Sequence, residues 1–141
     1  MNDLPTVNYP VNKHPAYHAH VYFDEASLDF ASELCSSISK TFKLPVGRMI
    51  QRPVGPHPKW SCQISFKAQD FDTFIPWLDA HRNSLTILVH GVTGDDLKDH
   101  TEFAYWLGEA VPLNIDIFRA WSYIEEPFSG HFITRVLPPI N

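Results

Sequence analysis

The chain has 141 residues, 44% of them hydrophobic and 19% charged, enough for one domain with a core that needs no disulfide or metal staples. Its net charge of −5 argues against nucleic acid as a partner, and no apolar run reaches the length of a membrane span. The two cysteines, Cys35 and Cys62, lack CxxC spacing, and Met1-Asn2-Asp3 opens no leader-type segment. The expectation is buried free thiols in a reducing, cytoplasmic setting. Eight histidines and twelve prolines are the unusual counts. Histidine is the common metal ligand and acid–base side chain, so function is sought there.

Residues 1–16 carry Pro5, Pro10 and Pro15 without periodicity and read as an extended surface arm, with His14 given no role. Tyr17-His18-Ala19-His20-Val21-Tyr22-Phe23 alternates as a strand. Tyr17, Ala19, Val21 and Phe23 form its core face; His18, His20 and Tyr22 share the other. Residues two apart on one face stand roughly 6–7 Å apart, so neighbouring imidazoles there can share a metal ion. Asp24 then caps a helix with the stripe Leu28, Ala31, Leu34, Cys35, Ile38 and Phe42, ended at Leu44-Pro45. A second strand is expected over 46–52. Arg52-Pro53-Val54-Gly55-Pro56-His57-Pro58 follows as a stiff, shaped loop, since each proline fixes φ.

The third strand, 59–67, alternates Trp60, Cys62, Ile64 and Phe66 with Ser61, Gln63 and Ser65. A second helix from Asp70 to Asn83 carries Phe71, Phe74, Ile75 and Leu78, with a kink or 3₁₀ turn expected at Pro76. In strand four, 85–90, Leu85, Ile87 and Val89 face the core and Thr86, Leu88 and His90 face away. Thr93-Gly94-Asp95-Asp96 opens a third helix in the manner of a capping box, with the stripe Leu97, His100, Ala104 and Leu107 and a stop at Gly108. On that stripe His100 reads first as a core histidine holding a backbone group. Residues 112–118 are a candidate fifth short strand, and the apolar segment 119–141 is expected to pack on the body or on a partner subunit.

Strand–helix–strand–strand–helix–strand is the ferredoxin-like split βαβ (βαββαβ) arrangement, an α+β fold with an antiparallel sheet of order 4-1-3-2 and, here, an additional C-terminal helix and short strand. Strands one and four then run antiparallel side by side, and parity places His18, His20 and His90 together on the helix-free face. That face collects Tyr22, Ser61, Gln63, Ser65 and Thr86 but no Lys, Asp or Glu, the signature of an enclosed wet cavity rather than open solvent. A homodimer closing such a cavity as an α+β barrel is expected. The loop bearing His57 belongs at the opposite end of strand one from His18, so His57 is not expected to ligate the same ion unless that loop folds back.

The HAHVYFD stretch, Arg52-Pro53-Val54-Gly55-Pro56-His57-Pro58, Pro76-Trp77-Leu78, Leu88-Val89-His90, Thr93-Gly94-Asp95-Asp96-Leu97-Lys98-Asp99-His100-Thr101 and Trp106-Leu107-Gly108 resemble the DOPA 4,5-dioxygenase family. The likeness runs in order from about residue 16 to 118. Gly91 stands where the family pattern favours proline, and Phe103 where many members carry a further histidine.

The resemblance implies a non-haem Fe(II) enzyme that opens catechol rings with O2 by extradiol cleavage, DOPA being the substrate in the family's name. It maps the family's histidines onto His18, His20, His57, His90 and His100. With no carboxylate on the cavity face of the predicted strands, His18, His20 and His90 are the expected ligands, and zinc a possible substitute for iron. His57, joined by His100, is the acid–base candidate. Arg52 is placed on a substrate carboxylate, with Tyr22 and Gln63 lining the pocket. Two alternatives stand beside this: a metal-free barrel enzyme doing histidine acid–base chemistry on a small aromatic, and a non-catalytic metal- or small-molecule-binding module.

Overall fold

Alternation at period two lays down the sheet, in a computed structural model that describes residues 8–119. β1 (Ala16–Phe23) turns Tyr17, Ala19, Val21 and Phe23 into the core, and β2 (Trp60–Lys67) does the same with Cys62, Ile64 and Phe66. They pair antiparallel, with His20 opposite Gln63. On the other side of β1 lies β3 (Ile87–Gly91), also antiparallel, with His18 directly opposite His90. β4 (Ala104–Leu107) completes a four-stranded sheet of order β2-β1-β3-β4.

Two helices cover one face. α1 (Leu28–Phe42) buries Ala31, Leu34, Cys35 and Ile38, and α2 (Ala68–His81) buries Phe71, Phe74, Ile75 and Leu78. Burying a Phe or Leu side chain of this kind is worth about 1.5–3 kcal/mol, so the two stripes hold both helices to the sheet. The N-cap of α1 is Ser27, not Asp24 as expected: the Asp24 carboxylate accepts from the backbone N–H and the hydroxyl of Ser27 and closes the turn before the helix. α2 starts earlier than expected because Asp70 accepts from the Lys67 N–H, setting the first turn at Ala68. It runs without interruption through Pro76. Both cysteines are buried and free. Among the described residues no helix is long and apolar enough to cross a membrane.

Three expected elements differ. Residues 46–52 form no continuous strand: they touch the outer side of β2 only at the bridges Val46–Ile64 and Ile50–Ser61. Pro45 just before that stretch and Gly47 within it disfavour a regular ladder. The third helix, α3 (Asp96–Asp99), is a single turn, and Ala104–Leu107 form β4 instead. The helical spacing of Leu97, His100, Ala104 and Leu107 fits, but the open edge of β3 wins. As a strand, Tyr105 and Leu107 enter the main core while Ala104 and Trp106 join a second cluster with Tyr22 and Leu88. Residues 112–118 are not a strand either; 116–119 are helical.

The visible part of the N-terminal arm is tied down. Asn8 accepts from the Trp106 N–H, and the buried His14 places Nε2 3.0 Å from the Tyr105 hydroxyl. The His14 ring also packs on Phe103, at 4.7 Å between centroids. The segment 119–141 lies outside the described residues except for Arg119.

His14 lies so close over Gly91 that a Cβ there would meet ring atoms at 2.8 Å. Gly91→Ala should therefore cost about 1–3 kcal/mol through overpacking. Urea unfolding measures this, and an unchanged midpoint would mean the His14 ring yields freely. The Gly91 N–H, moreover, donates to the Phe103 carbonyl, a bond that the proline of the family pattern cannot make.

Candidate metal centre

The antiparallel register of β1 and β3 assembles the site. His18 and His90 are cross-strand partners, and His20 is one pleat further along β1 on the same face. The ligand nitrogens of His18, His20 and His90 all lie within 4.8 Å of one another. Nε2 of His20 stands 3.0 Å from Nε2 of His90, with the two rings nearly parallel at 14°. Two nitrogens bound to one ion, each about 2.0–2.1 Å from it, stand about 3–3.4 Å apart, so this pair already has the separation of two ligands.

His90 is also in the right tautomer. Its Nδ1 lies 2.8 Å from the Gly91 carbonyl, which can only accept, so Nδ1 carries the proton and the Nε2 lone pair faces His20. Such backbone orientation of a ring is the usual second partner of a metal-ligating histidine. Burial pushes the His20 and His90 imidazoles well below their ordinary range, with neighbouring imidazoles adding to the effect. His18, partly exposed, is lowered less, because Asp99 partly opposes burial and His100. All three therefore present neutral imidazole at neutral pH, the form that binds metal without first losing a proton. The donor set fits a divalent transition metal with positions left open for other ligands.

His57 is brought in after all. The loop folds back over the sheet, with the Pro56 carbonyl accepting from the Asn114 N–H, and brings the His57 ring, tilted, to 4.1 Å from that of His20. The expectation that His57 belongs at the far end of β1 is thus corrected: a contact with a segment about sixty residues downstream fixes the loop. Burial pushes the His57 imidazole down to about 3. Nδ1 of His57 lies 2.8 Å from the Tyr22 hydroxyl. Tyr22 is buried behind His57 and does not line the cavity, so it positions that ring instead of touching a ligand. Tyr22→Phe would leave the buried Nδ1 without its partner, at an expected cost of about 1–3 kcal/mol. Thermal denaturation checks this; an unshifted midpoint would mean that water takes over the contact.

His100 follows α3, with Nδ1 donating to the Asp96 carbonyl at 2.8 Å; its ring lies 4.2 Å from that of His90 and stacks on Phe118. The backbone bond is the one expected of a core histidine, yet the ring faces the cavity. That cavity has a volume of about 360 Å³, and its walls include His18, His20, His57, His90 and His100. Gln63 lines it from β2. Arg52 does not: it is exposed and its side chain forms no part of the wall. Two carboxylates that the sequence reading passed over, Asp96 and Asp99, do line it. Their signal lay in the Asp96–His100 run, read there as the capping and body of a longer helix.

The cover over this face comes from the chain itself. Val54, Gly55 and Pro56 of the folded-back loop close one side, and Phe118 another. Val111 and Leu113 pack on the second cluster nearby.

The model of the Dopa 4,5-dioxygenase family matches residues 17–117, which include all five histidines of the site just described. The chain belongs to the DOPA 4,5-dioxygenase family. Within or near it, a provisionally assigned dioxygenase from Nostoc punctiforme has a crystal structure that superposes with a TM-score of 0.73 at 43% identity, covering 76% of this chain and 93% of that one. A DOPA 4,5-dioxygenase of Amanita muscaria is 32% identical over 108 residues, 70% of this chain and 47% of that protein. A 21.2 kDa protein of Botryotinia fuckeliana is 34% identical over 116 residues, 74% of this chain and 63% of its own length. The chain thus spans about half to two thirds of the length of these two relatives.

Proposed function

We propose that this family member is an extradiol ring-cleaving dioxygenase that uses Fe(II) and O2 on a catechol, with DOPA as the first substrate to try. The observation that carries it is the convergence of three neutral imidazoles in a cavity large enough for a small aromatic. His18, His20 and His90 would hold the ion. When bound, ferrous iron supplies a template that takes up the two catechol oxygens and dioxygen side by side.

The chain's own residues do the rest. The folded-back loop and Phe118 wall the cavity beside the imidazoles with apolar surface. His57, kept neutral by burial, is placed to take a phenolic proton from the bound catechol. Its bond with Tyr22 admits both states such a residue needs. With Nδ1–H donating to the phenol oxygen, Nε2 is free to accept a proton; the imidazolium so formed keeps its Nδ1–H on Tyr22, and the same proton returns from Nε2. His100 lines the same space as a second acid–base candidate, oriented by its bond to Asp96. Gln63 offers an amide to a substrate oxygen from the β2 side. We keep the homodimer expected from the sheet as part of this function. Its role would be to close the mouth of the cavity, which the loop and Phe118 of one chain wall only in part.

The test is anaerobic reconstitution with ferrous iron, followed by L-DOPA and simple catechols in oxygenated buffer. A yellow ring-opened product and one O2 consumed per catechol, both dependent on iron, are expected. A protein shown to hold iron that consumes no O2 with any catechol would overturn the reaction. Turnover by metal-free protein would favour acid–base chemistry by the histidines alone.

A further inference from the structure

We infer that Asp99 is the counter-charge of the metal centre, a positioning residue that favours a divalent cation at His18, His20 and His90 without ligating it. This rests on the metal-binding part of the function proposed above. Asp99 is 3% exposed, and both its oxygens accept hydrogen bonds from one residue, Oδ2 from the Thr93 N–H at 2.9 Å and Oδ1 from the Thr93 hydroxyl at 2.6 Å. Among the described residues no lysine or arginine pairs with it. A carboxylate this deep is costly unless a positive charge answers it, and two bonds from a single threonine offset only part of that cost.

The answering charge belongs in the cavity that Asp99 lines together with the three imidazoles. Those ligands are neutral, so an ion bound by them alone would bring its full double charge against the buried rings of His20 and His90. Asp99 removes half of that charge. Asp99 and the three imidazoles line one cavity, and no lysine or arginine is among the residues of its wall. Asp99 is not itself one of the group of ligand atoms that lie within 4.8 Å of one another, and Thr93 engages both its oxygens. Asp96 also lines the wall but is only half-buried, so solvent screens it more.

The experiment is an anaerobic titration of the full chain with Co(II), read by its visible bands and by competition with a chelator. Wild type, Asp99→Asn and Thr93→Val are compared. Asp99→Asn keeps the size and acceptor of the side chain but removes the charge, and should weaken Co(II) binding by about 10–100-fold, the usual cost of losing an outer partner of a metal site. Thr93→Val keeps the charge and removes one hydrogen bond, and should bind Co(II) within about threefold of wild type while melting at a lower temperature. Wild-type affinity in Asp99→Asn would overturn the inference. So would an equal loss in both variants, which would make Asp99 a loop anchor only. If Asp99→Asn fails to fold, Thr93→Val still decides, since retained affinity supports the charge and lost affinity favours the anchor. No Co(II) bound by wild type would instead sink the metal centre itself.

Discussion

His90→Ala should abolish stoichiometric metal binding while leaving a folded protein. His90 sits at the middle of the site: it is the cross-strand partner of His18, and its Nε2 faces that of His20 at 3.0 Å. Apparent zinc-binding energies of about 10–16 kcal/mol shared over four ligands amount to about 3 kcal/mol each, so loss of one ligand weakens binding by about a hundredfold or more. The fold should survive because the hydrophobic core lies on the opposite face of the sheet, where Val89 and Ile87 are untouched. Truncation also strands the buried Nε2 of His20, at about 1–3 kcal/mol. His57→Gln is the informative contrast. Its ring lies against His20 but is not among the three ligands, so metal should stay bound while catechol turnover falls about 10²–10⁴-fold. Metal analysis after gel filtration, beside oxygen uptake, separates the two. One metal per chain retained by His90→Ala would remove the site from the β1–β3 pair.

Much of this centre could be read from the alternation of residues. Tyr17 to Phe23, Trp60 to Phe66 and Leu85 to Val89 each keep one face apolar, and a strand with one buried face has its register set by that pattern. Once β1 and β3 are antiparallel neighbours, His18 meeting His90 follows, as does their shared face with His20. What stayed hidden depends on contacts between distant segments. Three prolines stiffen the His57 loop, but its path over the sheet is held by Asn114 and by Tyr22, and neither contact has a local sequence signal. Residues 104–107 were ambiguous for a related reason: four apolar residues fit a helical stripe or a strand equally, and only the free edge of β3 chooses. Arg52 was selected for its charge, which says nothing about where a loop side chain points. Asp99 was overlooked because acidic residues near a helix start are ordinarily caps.

Acidification should unfold the metal-free protein well before its carboxylates titrate. The imidazoles of His18, His20, His57, His90 and His100 are all lowered, chiefly by burial, with His57 at about 3 and His20 and His90 well below the ordinary value. In the unfolded chain each returns to about 6.5. Between these limits the unfolded state binds more protons than the folded one, so stability falls as pH falls. The contribution is fully present above about pH 6.5 and is lost progressively as pH drops toward the folded values. Each imidazole that stays neutral removes about 1.4 kcal/mol per pH unit across that window. With His20, His57 and His90 acting together the slope is about 4 kcal/mol per unit, against a total stability on the order of 5–15 kcal/mol for a domain. The metal-free chain should therefore lose its structure between roughly pH 6 and 4. His57→Gln, which has no proton to gain there, should flatten the slope by about one unit's share and shift the transition to lower pH. Circular dichroism melts from pH 7.5 to 4 measure both. A melting temperature constant over that range would mean that the five rings are far better hydrated than their burial implies.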